Sequence, residues 1–375
     1  MTLLKRIGYA VASVLLLAII YISSQTHLRR AFYYYTADID DYKIFENRVV
    51  ESGEEIKWAI SPDYNKKDFS PQTKQAIEAY QPVAWVIIQN GELLMEKYWE
   101  NYSDTSYSNS FSMAKSVVAL MIGVAIEEGK IKSVQDKVSE YVTEYKQGAR
   151  ATLTIEQVLT MSSGLNWEES YGNPFSMTTK AYYGDNITPL VLGLEMNETP
   201  GQKFNYLSGN TQLLALILER ATGKKLADYV SEKLWKPLGA SRNALWCLDK
   251  ENGTEKSYCC LNSNARDFAR IGQMILDSGR FAGKEIIPQA YLQKAITPFK
   301  YANDTTDFYG YQIWIANYKG EQIPYLRGIL GQYIFIIPSK KAVIVRLGMK
   351  RSKEKRGEHP EDVFLYLEAA MEVLN

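Results

Sequence analysis

Strand-patterned segments lie at two distant places in this chain, and a long helix-patterned stretch separates them. Val83 to Ile88 and Glu92 to Trp99 flank Asn90-Gly91, a dipeptide suited to the positive φ values of a tight hairpin turn. Strand patterns return only after Phe308, over Tyr309 to Ile315, Tyr333 to Ile337 and Ala342 to Leu347, and Pro360 to Leu374 reads as a closing helix. Strands so far apart share one sheet only if the helical part is inserted between them. The pattern therefore predicts an α+β fold: an antiparallel β-sheet flanked by helices, with a helical subdomain.

The inserted stretch opens on a marked helix signal. Met113, Val117, Leu120, Met121 and Val124 recur at three- and four-residue spacing between Ser112 and Glu128, and Gly129 follows as a C′ residue. Thr154 and Gln157 form a capping-box pair ahead of a short apolar run. Leu213 to Ala221 is a further helix, closed by Gly223. Gly164 to Glu198 is rich in Gly, Asn, Thr, Tyr and Trp and suits a loop lining a pocket, with Trp167, Tyr171 and Tyr183 as candidate wall residues.

At the N-terminus, Lys5-Arg6 precedes an almost uncharged apolar run from Ile7 to Ile22. A bilayer core takes roughly 20 apolar residues as a helix, and the uncharged Ser23 to Thr26 extend this run into the interface. With no A-x-A-like cleavage site after it, an uncleaved signal anchor over residues 1–30 is preferred to a cleaved signal peptide. The domain beyond it is expected outside the cytoplasm, periplasmic if the source is bacterial. Residues 31–80 are polar and tyrosine-rich and read as a juxtamembrane segment, leaving 81–375 as the main domain.

Lys plus Arg and Asp plus Glu are 43 each, so no net field favours a nucleic-acid partner. The three cysteines, Cys247, Cys259 and Cys260, contain no C-x-x-C pair, and with only two histidines a zinc cluster is not expected. Buried free thiols are the preferred reading. One bridge from Cys247 to Cys259 or Cys260 is the alternative in an oxidising compartment.

The histidines also limit the chemistry. His27 is juxtamembrane, His359 lies in a charged stretch, and no G-x-S-x-G elbow exists, so a Ser-His-Asp solution lacks its cues. Lysine can replace histidine as the base. Ser112-Met113-Ala114-Lys115 has S-x-x-K spacing, which puts serine and lysine on one helix face at its N-terminal end. Ser352-Lys353-Glu354-Lys355 has the same spacing but no apolar helix behind it. Context, not spacing, selects Ser112. Two further elements follow: Phe204 to Thr211, with Tyr206 placed to relay a proton and Ser208 beside it, and Arg327 to Gln332, where a glycine-flanked strand edge can offer backbone N–H groups to a carbonyl oxygen.

These elements, in this order, resemble the serine β-lactamase and penicillin-binding superfamily in its class C-like esterase branch. The resemblance runs from about Ala84 to Leu347 and includes 154–167, 199–223, 264–281 and 328–338; the Y-x-S-G-N-T-Q form resembles the branch of the 6-aminohexanoate-dimer hydrolases. It implies acylation of Ser112, with Lys115 and Tyr206 handling the proton. Ser208 would bind Lys115 or the substrate, and the N–H of Gln332, after Gly331, would complete an oxyanion hole with that of Ser112. Relatives acting on β-lactams or D-Ala peptides carry Lys or His in the third motif, where this chain has Ile329 and Leu330. A small amide or ester lacking a carboxylate therefore fits better, with Arg327 the one nearby cation that could substitute. The resemblance implies no metal or organic cofactor. The other readings are a D,D-peptidase or penicillin-binding protein, a non-catalytic binding protein on the same fold, and an acyltransferase.

Overall fold

In the computed structural model, which describes residues 3–374, two largely antiparallel sheets carry the chain. The larger has seven strands, in spatial order β10 (Trp314–Tyr318), β11 (Glu321–Gly328), β12 (Gln332–Ile337), β13 (Ala342–Gly348), β3 (Pro82–Gln89), β4 (Glu92–Tyr98) and β2 (Ala59–Ile60). β13 pairs antiparallel with β3 in the register Val345↔Val86, closing N- and C-terminal strands into one sheet. Asn90 and Gly91 both have positive φ, as the hairpin between β3 and β4 requires. A smaller sheet has the spatial order β1 (Asn47–Val50), β6 (Ala244–Cys247), β7 (Leu261–Ser263) and β5 (Ser108–Asn109). Two short hairpins complete the strands: β8 (Arg280–Phe281) with β9 (Lys284–Glu285), and β14 (Lys355–Arg356) with β15 (His359–Pro360).

The helices are α1 (Leu3–Ser24), α2 (Thr26–Tyr34), α3 (Pro71–Glu78), α4 (Met113–Glu127), α5 (Ile155–Leu159), α6 (Met177–Tyr183), α7 (Thr188–Leu192), α8 (Ser208–Thr222), α9 (Leu226–Val230), α10 (Ala265–Leu276), α11 (Gln289–Ala295) and α12 (Asp362–Val373). The main sheet is buried on both faces, and strand alternation sorts the side chains. Val86, Ile88, Ile334, Ile336, Val343 and Val345 join the core containing α4, α8 and α10. Trp85, Ile87, Phe335, Ile337 and Ile344 face α12. α10 lies close against the sheet at Gly272, where a Cβ would come within 2.4 Å of Val343. α4 is buried nearly all round, from Met113 to Ala125, which explains its weak amphipathicity.

Several expectations need correction. Tyr309 to Ile315 does not form one strand: β10 begins at Trp314, and the chain before it turns through Gln312 at positive φ. Residues 31–80 are more integrated than their polarity suggests. β1 pairs with β6, β2 joins the main sheet beside β4, and α3 packs on α12. The cysteines are paired differently from either reading, since Cys259 is bonded to its neighbour Cys260. Cys247 is free and buried, with Asn262 Nδ2 donating to its sulfur at 3.4 Å, and burial pushes its thiol pKa up to about 12.

Candidate active site

Ser112 stands at the N-terminal end of α4, just after a sharp change of direction. β5 is fixed to β7, Ser110 N donates to Leu261 O at 2.9 Å, and Asn109 Oδ1 accepts from Phe111 N at 2.8 Å. Phe111 then adopts a positive φ of 43° before the helix begins, a conformation that persists in a bulky residue only when its surroundings enforce it. Gly328, the last residue of β11, lies against this bend. A Cβ there would come within 2.3 Å of Ser110 O and 3.1 Å of Phe111 Cβ, so only glycine lets the strand edge approach so closely.

One turn into α4, Lys115 is buried, and its Nζ donates to Ser112 Oγ at 3.0 Å and to Tyr258 O at 2.8 Å. It forms no ion pair with a carboxylate among the described residues. Instead it lies over the rings of Tyr206 and Tyr258, 5.1 and 5.4 Å from their centroids. Trp314 supports the Tyr206 ring at 5.5 Å and Tyr309 at 6.3 Å. The serine and lysine of the S-x-x-K motif and the tyrosine of the second element are thus brought together, from α4 and from the loop preceding α8.

Ser208 lines the cavity, and of its two expected partners Lys115 is not the one it meets. Its N–H and its hydroxyl both donate to Glu169, each at 2.7 Å, so it does not reach Lys115. Tyr171, although half-exposed, donates its hydroxyl to the same carboxylate, whose negative charge opposes ionisation of the phenol. Glu169 thereby ties the long loop after Gly164 to the start of α8. Sequence reasoning missed it because an isolated glutamate in an irregular loop carries no spacing signal.

Gln332, expected to act through its backbone N–H, has its side chain turned inward. It is fully buried, and its side chain accepts from Gly348 N at 3.1 Å and donates to Gly348 O at 2.6 Å and Ile329 O at 3.2 Å. These bonds hold the turn from below. Ile329 and Leu330 face the cavity containing Ser112, whereas Gly331 and Gln332 are not among its lining residues. Arg346, buried beneath the turn, donates to Gly331 O at 2.6 Å and Leu330 O at 3.1 Å. Arg327 is engaged elsewhere: its guanidinium lies 3.3 Å from the centre of the Trp314 ring and donates to Glu358 O at 2.9 Å.

The cavity has a volume of about 500 Å³ and contains Ser112, Tyr171, Tyr183, Ser208, Tyr258 and Cys259 in its wall. Trp167 is not in that wall. It is buried against Tyr258, its ring occupying the space a Cβ on Gly209 would need. His359 is not among the cavity's lining residues; it lies behind Trp314, ring centroids 6.3 Å apart, with its Nδ1 2.6 Å from the Tyr325 hydroxyl, and burial lowers its pKa to about 4.

A family profile described as "Beta-lactamase" matches residues 73–368, most of the chain. The chain belongs to the beta-lactamase family. Among curated relatives, a 6-aminohexanoate-dimer hydrolase of Paenarthrobacter ureafaciens is 27% identical over 308 residues, covering 77% of this chain and 78% of that protein. The structure described as "Putative 6-aminohexanoate-dimer hydrolase from Bacillus anthracis" superposes with a TM-score of 0.73 at 21% identity, covering 89% of this chain and 92% of the other. A family VIII carboxylesterase superposes at 0.63 with 18% identity, over 85% of this chain and all of the other. The family is of serine hydrolase type, and the α+β architecture expected from the sequence is the one these structures share.

Proposed function

We propose that the protein hydrolyses a small amide or ester through an acyl-enzyme on Ser112. The observation that carries this reading is the 3.0 Å bond from Lys115 Nζ to Ser112 Oγ at the N-terminal end of a buried helix. Ser112 Oγ attacks the substrate carbonyl carbon as its proton passes to Lys115 and Tyr206. The C–O or C–N bond then breaks, and the proton goes to the departing alcohol or amine. Water attacks the ester of Ser112 by the same relay in reverse, releasing the acid and restoring the hydroxyl. Backbone N–H groups of Ser112 and of the turn after Gly328 are the proposed oxyanion donors. Support for the turn comes from its place in the cavity wall and from the buried Arg346 and Gln332 that hold its carbonyls.

An amide or ester without a carboxylate is favoured over a D-Ala peptide or a β-lactam. Arg327, which precedes the third motif in sequence, is committed to Trp314 and Glu358, and Arg346 is buried beneath the turn on its carbonyls. We further propose that α1 anchors the protein in a membrane with residues 81–375 as the hydrolase domain. The helix has 22 residues, a mean hydropathy of 2.1 in its most apolar window, and no burial against the rest of the chain. Turnover of p-nitrophenyl acetate by the full chain, set beside Ser112→Ala, tests the reading. Hydrolysis should fall to the buffer rate in the variant, and equal rates in both would overturn it.

A further inference from the structure

Part of the wall of the Ser112 cavity is built by the chain segment that emerges from the apolar N-terminal helix. Ala31, Phe32, Tyr35 and Ala37 line it together with Tyr183. α2 begins two residues after α1 ends, and its nine residues rise about 13 Å. It is fixed to the domain rather than hanging from it: Arg30 Nη1 donates to Tyr183 O at 3.2 Å, Thr26 Oγ1 to Asp185 Oδ2 at 2.9 Å, and Tyr34 stacks on Tyr183 at 6.2 Å. Leu28 is buried in this contact. A helix of 22 residues is about 33 Å long, close to the thickness of a hydrocarbon core, and no residue of α1 is buried. With α1 in a bilayer, chain length keeps Phe32 within about 12 Å of the end of α1, within reach of the membrane surface. Phe32, Tyr33 and Tyr35 are 54%, 80% and 87% exposed there, the placement of an interfacial aromatic belt.

The cavity wall itself is uncharged. No charged side chain is among its lining residues, and the nearby Glu169 carboxylate is taken up by Ser208 and Tyr171. Of the wall's hydroxyls, those of Thr178, Thr179 and Tyr182 are also bonded inside the protein, to Glu168 O, Asn173 O and Asp41, whereas those of Tyr183 and Tyr258 have no partner. Two free hydroxyls suit the polar end of an acyl compound, and the apolar remainder of the wall suits its alkyl chain.

We infer that the substrate is an ester or amide of a long-chain fatty acid drawn from the membrane surface, with its carbonyl at Ser112 and its acyl chain lodged against α2. This rests on the acyl-enzyme reading and adds the substrate class. The chemistry is the hydrolysis given above: the fatty acyl group is transferred to Ser112 Oγ, the alcohol or amine departs with the proton, and water releases the fatty acid.

The test uses the full chain in phosphatidylcholine nanodiscs with p-nitrophenyl acetate, butyrate, octanoate and decanoate, and the same series on Ala31→Trp. Burial of a methylene is worth roughly fourfold in kcat/KM, so decanoate should exceed acetate by roughly tenfold or more even if only part of the chain is sequestered. Filling this part of the cavity with the indole of Ala31→Trp should reduce that decanoate-to-acetate ratio to near one. A flat series in a wild type that still forms an acetyl adduct on Ser112 would overturn the inference and leave the hydrolase reading standing. A chain-length preference that persists in the variant would also overturn it, because partition of the ester into the bilayer would then account for the preference. If Ala31→Trp forms no acetyl adduct, Ala37→Trp in the same part of the wall replaces it. Absence of any adduct in the wild type with every ester would overturn both readings together.

Discussion

Lys115 Nζ lies 3.0 Å from Ser112 Oγ, and a second bond, 2.8 Å to the carbonyl of Tyr258, fixes its direction. The lysine thus has one neutral acceptor behind it and the serine hydroxyl in front. Lys115→Ala should lower kcat for a p-nitrophenyl ester by roughly 10³, within the span general-base removal produces. Lys115→Arg should not restore it, because guanidinium does not give up a proton near neutral pH. Single-turnover acylation rates on both variants measure this.

Glu169 accepts three bonds, from Ser208 N, Ser208 Oγ and the Tyr171 hydroxyl. Glu169→Ala removes both acceptor oxygens and leaves Ser208 N, Ser208 Oγ and the Tyr171 hydroxyl without this partner. A stability loss of about 1–3 kcal/mol is expected, together with lower kcat/KM, read by urea unfolding and ester turnover. Unchanged values in both would show that the loop is held by other contacts.

Gly328→Ala drives a methyl group against Ser110 O. The end of β11 must move away from the Ser112 bend, costing about 1–3 kcal/mol and loosening the proposed oxyanion turn. The expected signature is a fall in kcat larger than the rise in KM.

His359 gives a pH prediction. Burial depresses its folded pKa to about 4 from an ordinary 6.5, with nearby Arg327 adding to the shift. Between those values the unfolded chain binds the extra proton and the folded one does not, so this contribution is complete above pH 6.5. It is lost as pH falls towards 4, on the order of 2–3 kcal/mol. The urea midpoint of the wild type should fall over that window, and His359→Asn should fall less.

What the sequence made legible was local. Asn90-Gly91 sets its hairpin by backbone preference alone, and Ser112 and Lys115 are one helical turn apart, so their spacing is their geometry. The misses are long-range or irregular. Ser208 finds Glu169 39 residues earlier in a loop, and β1 finds β6 only after almost the whole helical insert. Arg346 and the Gln332 side chain hold the third-motif turn from beneath, a support invisible in the motif. Tyr309 to Ile315 has strand composition, yet Gln312 sits at positive φ with its carbonyl accepting from Ser116 Oγ at 2.6 Å, and that contact bends the segment.

The most direct test is intact mass of the full chain after brief exposure to a p-nitrophenyl ester, followed by peptide mapping. One acyl group is expected, on the peptide containing Ser112, absent from Ser112→Ala and formed more slowly in Tyr206→Phe. An adduct that survives in Ser112→Ala, or that maps to Ser352 in the second S-x-x-K sequence, would contradict it.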